Sequence, residues 1–448
     1  MSILPSEHEQ EFLRRLHERP EKTLEDWLDV PAHIHHVAHR MANPPIERPR
    51  SREEFRQILQ ALTVPPETAV LHEKFGYGVR TDANGDRLIV VWQAHTEYYS
   101  YQIWHIPMDK THPLTFGPLT FPNYVFPIGA LGLQVNALDI LIVSSPDGSV
   151  EPLRALLPGP TLYGSRVLGE TISVFTTFTP DEQDRERYLV LSSSVSLANH
   201  LLQIVDSIVR IETYYHLLLM KKPAFSSAVD QVHTFEQLHL QQREIITSQL
   251  NASTSTTLER WLTHLTDDLM KVNRLAGRMH YELSAAVPYD KIVQTTMQSL
   301  QEQPMPSCRL LSDFVFSGIT GVAEGYQQLL RRLETLKTGF EGVIAIIRAK
   351  VDLLIQAQNL VLLSSVDQTT RSQAILQQTV EGLSVIVIAY YLSGLANYLF
   401  KGLHELGWIH NADAATALFV PIAVVLSFTL MKVSRKIIHK RLAATPRK

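Results

Sequence analysis

Two uncharged apolar stretches lie near the carboxyl end of the chain: Leu383–Phe400 (LSVIVIAYYLSGLANYLF) and Ala414–Met431 (AATALFVPIAVVLSFTLM). A helix needs roughly 20 mainly apolar residues to cross the hydrocarbon core of a bilayer, and both stretches approach that length. The link between them, Lys401–Asp413, is short and polar. The sequence therefore predicts a transmembrane helical hairpin. The alternative is a hairpin buried in a large soluble core.

Charged residues set the expected orientation of this hairpin. The residues after Met431 include seven Lys or Arg side chains and no acidic one. Short segments rich in Lys and Arg stay on the cytoplasmic side, and two crossings return the chain to its starting side. The opening residues, MSILPSEHEQEF, lack the pattern of a secretory signal. We expect a multi-pass protein of the bacterial inner membrane with both termini in the cytoplasm.

The length, net charge and cysteine count of the chain exclude several classes of protein. A chain of 448 residues predicts about three domains. The net charge is −4, so the chain without the seven basic residues of the tail carries −11. An acidic body is a poor nucleic-acid binder, and the basic tail fits an anchor to anionic lipid headgroups. The single cysteine, Cys308, excludes an internal disulfide framework and a Cys-rich zinc site.

Hydrophobic periodicity divides the chain into three parts and predicts the α+β class. Residues 1–192 read as a cytoplasmic mixed α/β domain with a mainly antiparallel sheet. Its clearest strands are Arg87–Trp92 and Glu97–Ile106, which are rich in β-branched and aromatic residues. Residues 193–380 repeat apolar side chains every three or four positions and predict a helical stalk or bundle. Residues 381–448 form the predicted transmembrane hairpin and basic cytoplasmic tail.

One part of the helical region has the spacing of a coiled-coil seam. Apolar residues recur there at the spacing of a and d positions, with intervals of three, four, three and seven, at Ile344, Ile347, Val351, Leu354 and Val361. The polar run Ser364–Thr379 then precedes the first apolar stretch. In a symmetric oligomer this run could line a hydrated pore entrance, and it could equally be the solvated face of a stalk.

Signatures of catalysis and of cofactor binding are missing. The chain contains no G-x-S-x-G, no G-x-G-x-x-G and no H-E-x-x-H. Gly159–Arg166 (GPTLYGSR) has the opening of a phosphate-binding loop but lacks its lysine. We therefore expect no enzymatic activity and no cofactor, and we predict no catalytic residue.

The densest group of potential ligands is the histidine set His33, His35, His36 and His39, in a stretch that reads as a strand. On a strand His33 and His35 share a face, where they could bind one metal ion or form a polar surface. Another pair, His95 and Glu97, could hydrogen-bond on one strand face. An enzymatic interpretation is also open, in which His95, Glu97 and Arg166 meet in a cytoplasmic cleft.

The first apolar stretch carries one amide, Asn397, close to Gly394. A buried amide in lipid needs a partner or water, because an unpaired polar group is costly there. Asn397 therefore marks either a contact between helices or the mouth of a pore.

Several segments spread over nearly the whole chain resemble one bacterial family. They are HERP (17–20), WQAHTEYYSY (92–101), GSRVLG (164–169), IVRIETYYHLLLM (208–220), KVDLLIQAQNLVLLSSVD (350–367) and TVEGLSVIVIAYYLSGL (379–395). The chain is identified by them as a member of the membrane-anchored proteins catalogued as domain of unknown function 3422. This resemblance implies a membrane anchor, and it carries over no activity and no catalytic residue.

The predicted architecture is also similar to that of the CorA-type magnesium channels. That likeness implies a homopentamer whose first span lines a pore for divalent cations and ends in Gly-Met-Asn. The comparable place here reads Gly394-Leu395-Ala396-Asn397 and lacks that motif. Two readings follow: a structural or regulatory module that the hairpin anchors to the lipid bilayer, or a CorA-like homo-oligomeric channel for a divalent cation.

Overall fold

The structure is a computed structural model that describes residues 20–110, 115–117, 132–145, 150–169, 172–192 and 200–443. His17 of the HERP motif and the last five residues of the basic tail lie outside these ranges. The chain forms two compact units. The first comprises residues 1–249 and 263–344, and the second comprises 250–262 and 345–448. A sheet precedes long helices and an apolar helix near the carboxyl end, so the α+β class is confirmed.

Ten strands form one sheet in the order β10-β7-β8-β9-β6-β1-β5-β4-β3-β2. All neighbours are antiparallel except β6 and β9, which run parallel. Strands β1 to β10 span Ala32–Arg40, Ala69–Leu71, Phe75–Thr81, Arg87–Ala94, Tyr98–Ile106, Leu133–Ser144, Tyr163–Val167, Ile172–Pro180, Glu186–Ser192 and Gln303–Pro304.

Strand β1 lies at the centre of the sheet, between β5 and β6, and its first eight residues are buried. Both faces of the sheet are covered at this point. A strand covered on both faces must place its polar side chains inside the protein as well as its apolar ones. The histidines of β1 are therefore interior residues.

Nine helices are described. Helices α1 to α9 span Pro20–Glu25, Pro44–Ala61, Leu201–Leu219, Lys222–Gln249, Ser255–Leu283, Val287–Ser299, Leu311–Ile319, Val322–Glu405 and Ala412–Ala443. Gly321 separates α7 from α8 with φ +79°, a conformation that glycine adopts without the strain of a Cβ atom.

Helix α3 covers one face of the sheet because its apolar stripe matches the helical period. Ile204 and Ile208 are buried in the same core as Trp104 of β5 and Ile140 of β6. Helix α2 covers part of the opposite face. Its Phe55 is fully buried, and its ring lies 6.1 Å from that of Trp92. The two helices explain why the central strands are dry on both sides.

Helices α4 and α8 pack together within the first unit. Ring centroids of Phe225 and Tyr326 are 5.0 Å apart, and Arg332 forms a two-bond ion pair with Glu236. Residues of the predicted coiled-coil seam become more exposed farther along α8. Ile347 is buried, whereas Val361 is 67% exposed. The coiled coil stays a prediction for this part of the helix.

In the second unit, the end of α8 and helix α9 are long and apolar enough to cross a membrane. They contain the apolar stretches Leu383–Phe400 and Ala414–Met431, and residues 406–411 join the two helices. Their apolar side chains are largely exposed in the single chain.

Candidate functional site

Polar side chains accumulate at the centre of the sheet. The exposed fractions of His33, His35, His36 and His39 are 4%, 9%, 1% and 1%. Because neighbouring residues of a strand point to opposite faces, His36 faces the side of α3 and His33 and His35 face the other. The sheet thus separates two buried polar clusters.

The first cluster joins β1 to β6. His33 Nε2 lies 2.5 Å from Asp139 Oδ1, and His35 Nε2 lies 3.5 Å from the same oxygen. Asp139 is the register partner of His35, which explains the convergence. Arg185, just before β9, contacts His35 Nδ1 on its other side. A guanidinium can only donate, so this contact places the proton of a neutral His35 on Nε2, toward Asp139.

Burial controls the charge of this cluster. It lowers the pKa of His35 to about 4, although the nearby Asp139 carboxylate opposes the shift. His35 is therefore neutral near pH 7 and links Arg185 to Asp139. The arrangement places the Arg185 guanidinium and the Asp139 carboxyl group on opposite sides of the His35 ring.

The second cluster lies on the α3 face of the sheet. Glu186 begins β9, and Glu212 and His216 are four residues apart on α3, so they share one helix face. His216 Nε2 lies 3.4 Å from Glu186 Oε1, and His216 Nδ1 lies 3.5 Å from Glu212 Oε2. Tyr188 donates a hydrogen bond to Glu212 Oε1.

The titratable groups of the second cluster shift one another's pKa values. Burial and then the Glu186 charge raise the pKa of Glu212 well above its ordinary value. Burial alone would lower the pKa of His216, but the hydrogen bond to Glu186 and both carboxylate charges raise it to about 9. The same hydrogen bond lowers the pKa of Glu186 against the effect of burial.

A cavity of about 260 Å³ lies beside the turn that joins β4 to β5, within the first unit. It is lined by Lys74, His95, Glu97, Tyr98, Tyr214 and Tyr289. The His95 ring stacks on Tyr98 with 4.2 Å between centroids, while Glu97 accepts a hydrogen bond from Tyr289. Burial lowers the pKa of His95 to about 4, so this imidazole is neutral near pH 7.

The structure places Arg166 away from His95 and Glu97. Arg166 is an exposed residue of β7, which lies five strand positions from β5. At about 4.8 Å per strand this is roughly 24 Å across the sheet. The structure therefore brings His95 and Glu97 to one cavity and does not bring Arg166 to it.

The polar residues of the first apolar stretch are in the second unit. Asn397 Oδ1 accepts a hydrogen bond from Thr416 Oγ1 of α9 at 3.3 Å. Gly394 is exposed, and a Cβ atom built on it would meet nothing within 4 Å. Asn397 thus joins two helices of one chain, whereas Gly394 makes no close approach in it.

Sequence reasoning did not single out Asp139, Glu186, Glu212 or His216. One signal was present: Glu212 follows Ile208 by four residues and so falls on the predicted apolar face of its helix. A charged residue in that position must either break the face or be buried with partners. No such signal marked Glu186, because its neighbours Glu212 and His216 are distant in sequence and meet it only in the folded chain.

Comparison with known proteins identifies a family without an assigned function. A family model described as "Protein of unknown function (DUF3422)" matches residues 7–438. No curated protein matches the chain. One matching solved structure is "The complete structure of CorA magnesium transporter from Methanocaldococcus jannaschii", at 9% identity. That match covers 70% of this chain and 92% of that chain with a TM-score of 0.12, a value too low to relate the two folds.

Buried His36 makes stability depend on pH. Burial, followed by the charge of His95, lowers the pKa of His36 to about 3 from an unfolded value of 6.5, while Asn136 opposes the shift. Below pH 6.5 the unfolded chain therefore binds a proton that the folded chain excludes. Stability falls as pH decreases toward 3, by about 1.4 kcal/mol per pH unit for one proton.

We expect the free energy of unfolding of His36→Asn to fall less steeply than that of wild type between pH 6 and pH 4, by about 1.4 kcal/mol per pH unit. The measurement is the free energy of unfolding of the first unit in the full-length protein, followed by tryptophan fluorescence at each pH. The exposed His72→Asn is the control and keeps the wild-type slope. Equal slopes in His36→Asn and wild type would contradict the burial of a neutral His36.

Proposed function

The chain belongs to the DUF3422 family of proteins of unknown function, and we propose that it is a membrane-anchored, non-enzymatic module with a structural or regulatory role. In this proposal, the hairpin of α8 and α9 holds the protein in the bacterial inner membrane. The first unit lies in the cytoplasm and recognises a partner there.

Exposed apolar surface is the observation that carries the proposal. In the most apolar 18-residue windows of the two candidate spans, only 6% and 11% of the residues are buried. Ile386 and Leu395 on α8 are 68% and 67% exposed, and Leu418 on α9 is 74% exposed. Leaving a continuous apolar surface of this kind in water is unfavourable by roughly 25 cal/mol per Å². A bilayer covers such a surface at no comparable cost.

The contacts between these helices support a membrane hairpin. Ala389, Ala396 and Ala423 are buried in the single chain, and small residues let membrane helices approach closely. The Asn397–Thr416 hydrogen bond satisfies polar groups within the apolar stretches. Trp408, in the link between the helices, is 81% exposed, as expected for a side chain at the membrane–water interface.

A non-enzymatic role and self-association complete the proposal. The sequence carries no catalytic signature, so the first unit is better suited to binding than to turnover. Large apolar residues of α8 before the candidate span are also exposed: Leu360, Leu362, Val366, Ile375 and Leu376. Packing of copies along this part of α8 would cover them, which supports a homo-oligomer.

An acidic residue placed in the candidate span tests the anchor. We expect Leu395→Asp to lower recovery of the protein in urea-washed membranes severalfold, because a charge there costs roughly 3 kcal/mol in lipid. Leu362→Asp is the matched control, since Leu362 is equally exposed on the same helix but lies outside the span. Equal recovery of both variants would contradict the anchoring.

The orientation has its own test, which uses the single cysteine. In a Cys308→Ala background, Trp408→Cys is expected to react with an impermeant maleimide in intact cells. Tyr281→Cys, at a position 76% exposed in the first unit, is expected to react only after lysis. Labelling of both variants before lysis, or of neither, would contradict a cytoplasmic first unit.

The CorA-like channel is the alternative proposal. A cleft of about 760 Å³ lies open between α8 and α9, lined in part by Asn397, Tyr390 and Thr416. A neighbouring copy could close it around a symmetry axis. A pentameric mass in mild detergent, with divalent-cation flux that Asn397→Leu abolishes, would support the channel. A monomer or dimer leaves too few first spans to surround a pore and favours the anchored module.

A further inference from the structure

The cluster of Glu186, Glu212 and His216 places two carboxyl groups beside one imidazole in the interior of the first unit. Among the described residues, both carboxylates form ion pairs with His216 and with no Lys or Arg. Arg185 and Arg187 flank Glu186 in sequence, but they contact His35 and Asp181 instead. Two carboxyl groups this close to each other share either a proton or a bound cation.

The donor atoms are arranged for coordination. His216 Nδ1 donates to the backbone oxygen of Glu212 at 2.8 Å, which fixes the ring and leaves Nε2 directed at Glu186. Two ligands held about 2.1 Å from a tetrahedral ion are about 3.4 Å apart. The distance from His216 Nε2 to Glu186 Oε1 is 3.4 Å, and one donor atom from each residue lies within 4.8 Å of the others.

A second observation points to a missing ligand. Glu186 Oε2 is buried and accepts no N–H or hydroxyl hydrogen bond from the described residues, and the neighbouring carboxyl group is that of Glu212. Such an oxygen normally finds a donor, an ordered water or a metal ion. The Tyr188 hydroxyl already orients Glu212 through Oε1, as the outer partners of metal ligands do.

We infer that Glu186, Glu212 and His216 bind one divalent transition-metal ion between β9 and α3. The imidazole and two carboxylates suit Mn²⁺, Fe²⁺ or Zn²⁺, whereas Mg²⁺ and Ca²⁺ prefer oxygen ligands alone. The His216 side chain is 28% exposed, which gives the ion a route from solvent. The site links the sheet to α3 and is independent of the membrane anchor.

The other buried cluster is the natural comparison. His33, His35 and Asp139 also have donors within 4.8 Å of one another. However, the Arg185 guanidinium contacts His35 and brings a positive charge next to the place where an ion would sit. Its donation also leaves the proton of His35 on the nitrogen that faces Asp139. This cluster already contains the Arg185 cation and serves as the control.

The test measures metal content of the full-length protein in detergent. The protein is stripped with chelator, incubated with Mn²⁺ or Zn²⁺, dialysed and analysed by inductively coupled plasma mass spectrometry. We expect one equivalent in wild type and in His33→Asn. Glu186→Gln and His216→Asn should bind about 100-fold more weakly or worse, because loss of even an outer partner costs 10–100-fold.

Thermal unfolding keeps the result interpretable. Glu186→Gln preserves size, so its unfolding temperature without metal reports whether it folds. We expect the metal to raise that temperature in wild type and in His33→Asn but not in Glu186→Gln. Absence of bound metal in wild type, equal binding by a folded Glu186→Gln, or selective loss in His33→Asn would each overturn the inference.

Discussion

Burial of β1 on both faces is the constraint on which the first unit depends. A central strand has no side that can carry polar groups into water, so its histidines lie inside the protein, where polar partners are favourable. On one face Asp139, directly opposite His35 on β6, pairs with His33, and Arg185 contacts Nδ1 of His35. On the opposite face, α3 brings Glu212 and His216 against Glu186. Buried polar pairs therefore specify how strands and helix fit together.

The second unit has the reverse problem, because its apolar side chains lack cover. The sheet buries Trp92 and Trp104 completely, whereas Leu395 and Leu418 remain more than half exposed in a single chain. One sequence thus produces a body suited to water and two helices suited to an apolar solvent. Membrane anchoring and self-association are the two ways to cover those helices, and both fit the proposed role.

Much of the fold was readable from periodicity. The β-branched and aromatic residues of β4 and β5 and the three-to-four-residue apolar spacing after residue 192 predicted a sheet followed by helices, and the structure has both. The composition of the apolar stretches predicted two helices of spanning length. These features are local, because each depends on residues close together in sequence.

The candidate site was less predictable because it depends on contacts between distant residues. His33 and His35 were identifiable as neighbours on a strand, but Asp139 joins them only through the register of β1 with β6. Glu186 and Glu212 meet only because α3 lies on that side of the sheet. Arg166 is the opposite case, because the sequence suggested a contact that the fold does not form. Its residue type suited a cleft with His95, but the strand order separates the two residues.

Hydrogen–deuterium exchange along α8, in lipid nanodiscs, tests the central claim most directly. The helix continues without interruption from residue 322 to residue 405, and only residues 383–400 of it are expected to lie in lipid. Lipid cover predicts that amides of residues 383–400 exchange at least about 100-fold more slowly than those of residues 360–380. Exchange of residues 383–400 at the rate of an exposed helix would show that no bilayer covers the apolar stretch and would contradict the anchored module.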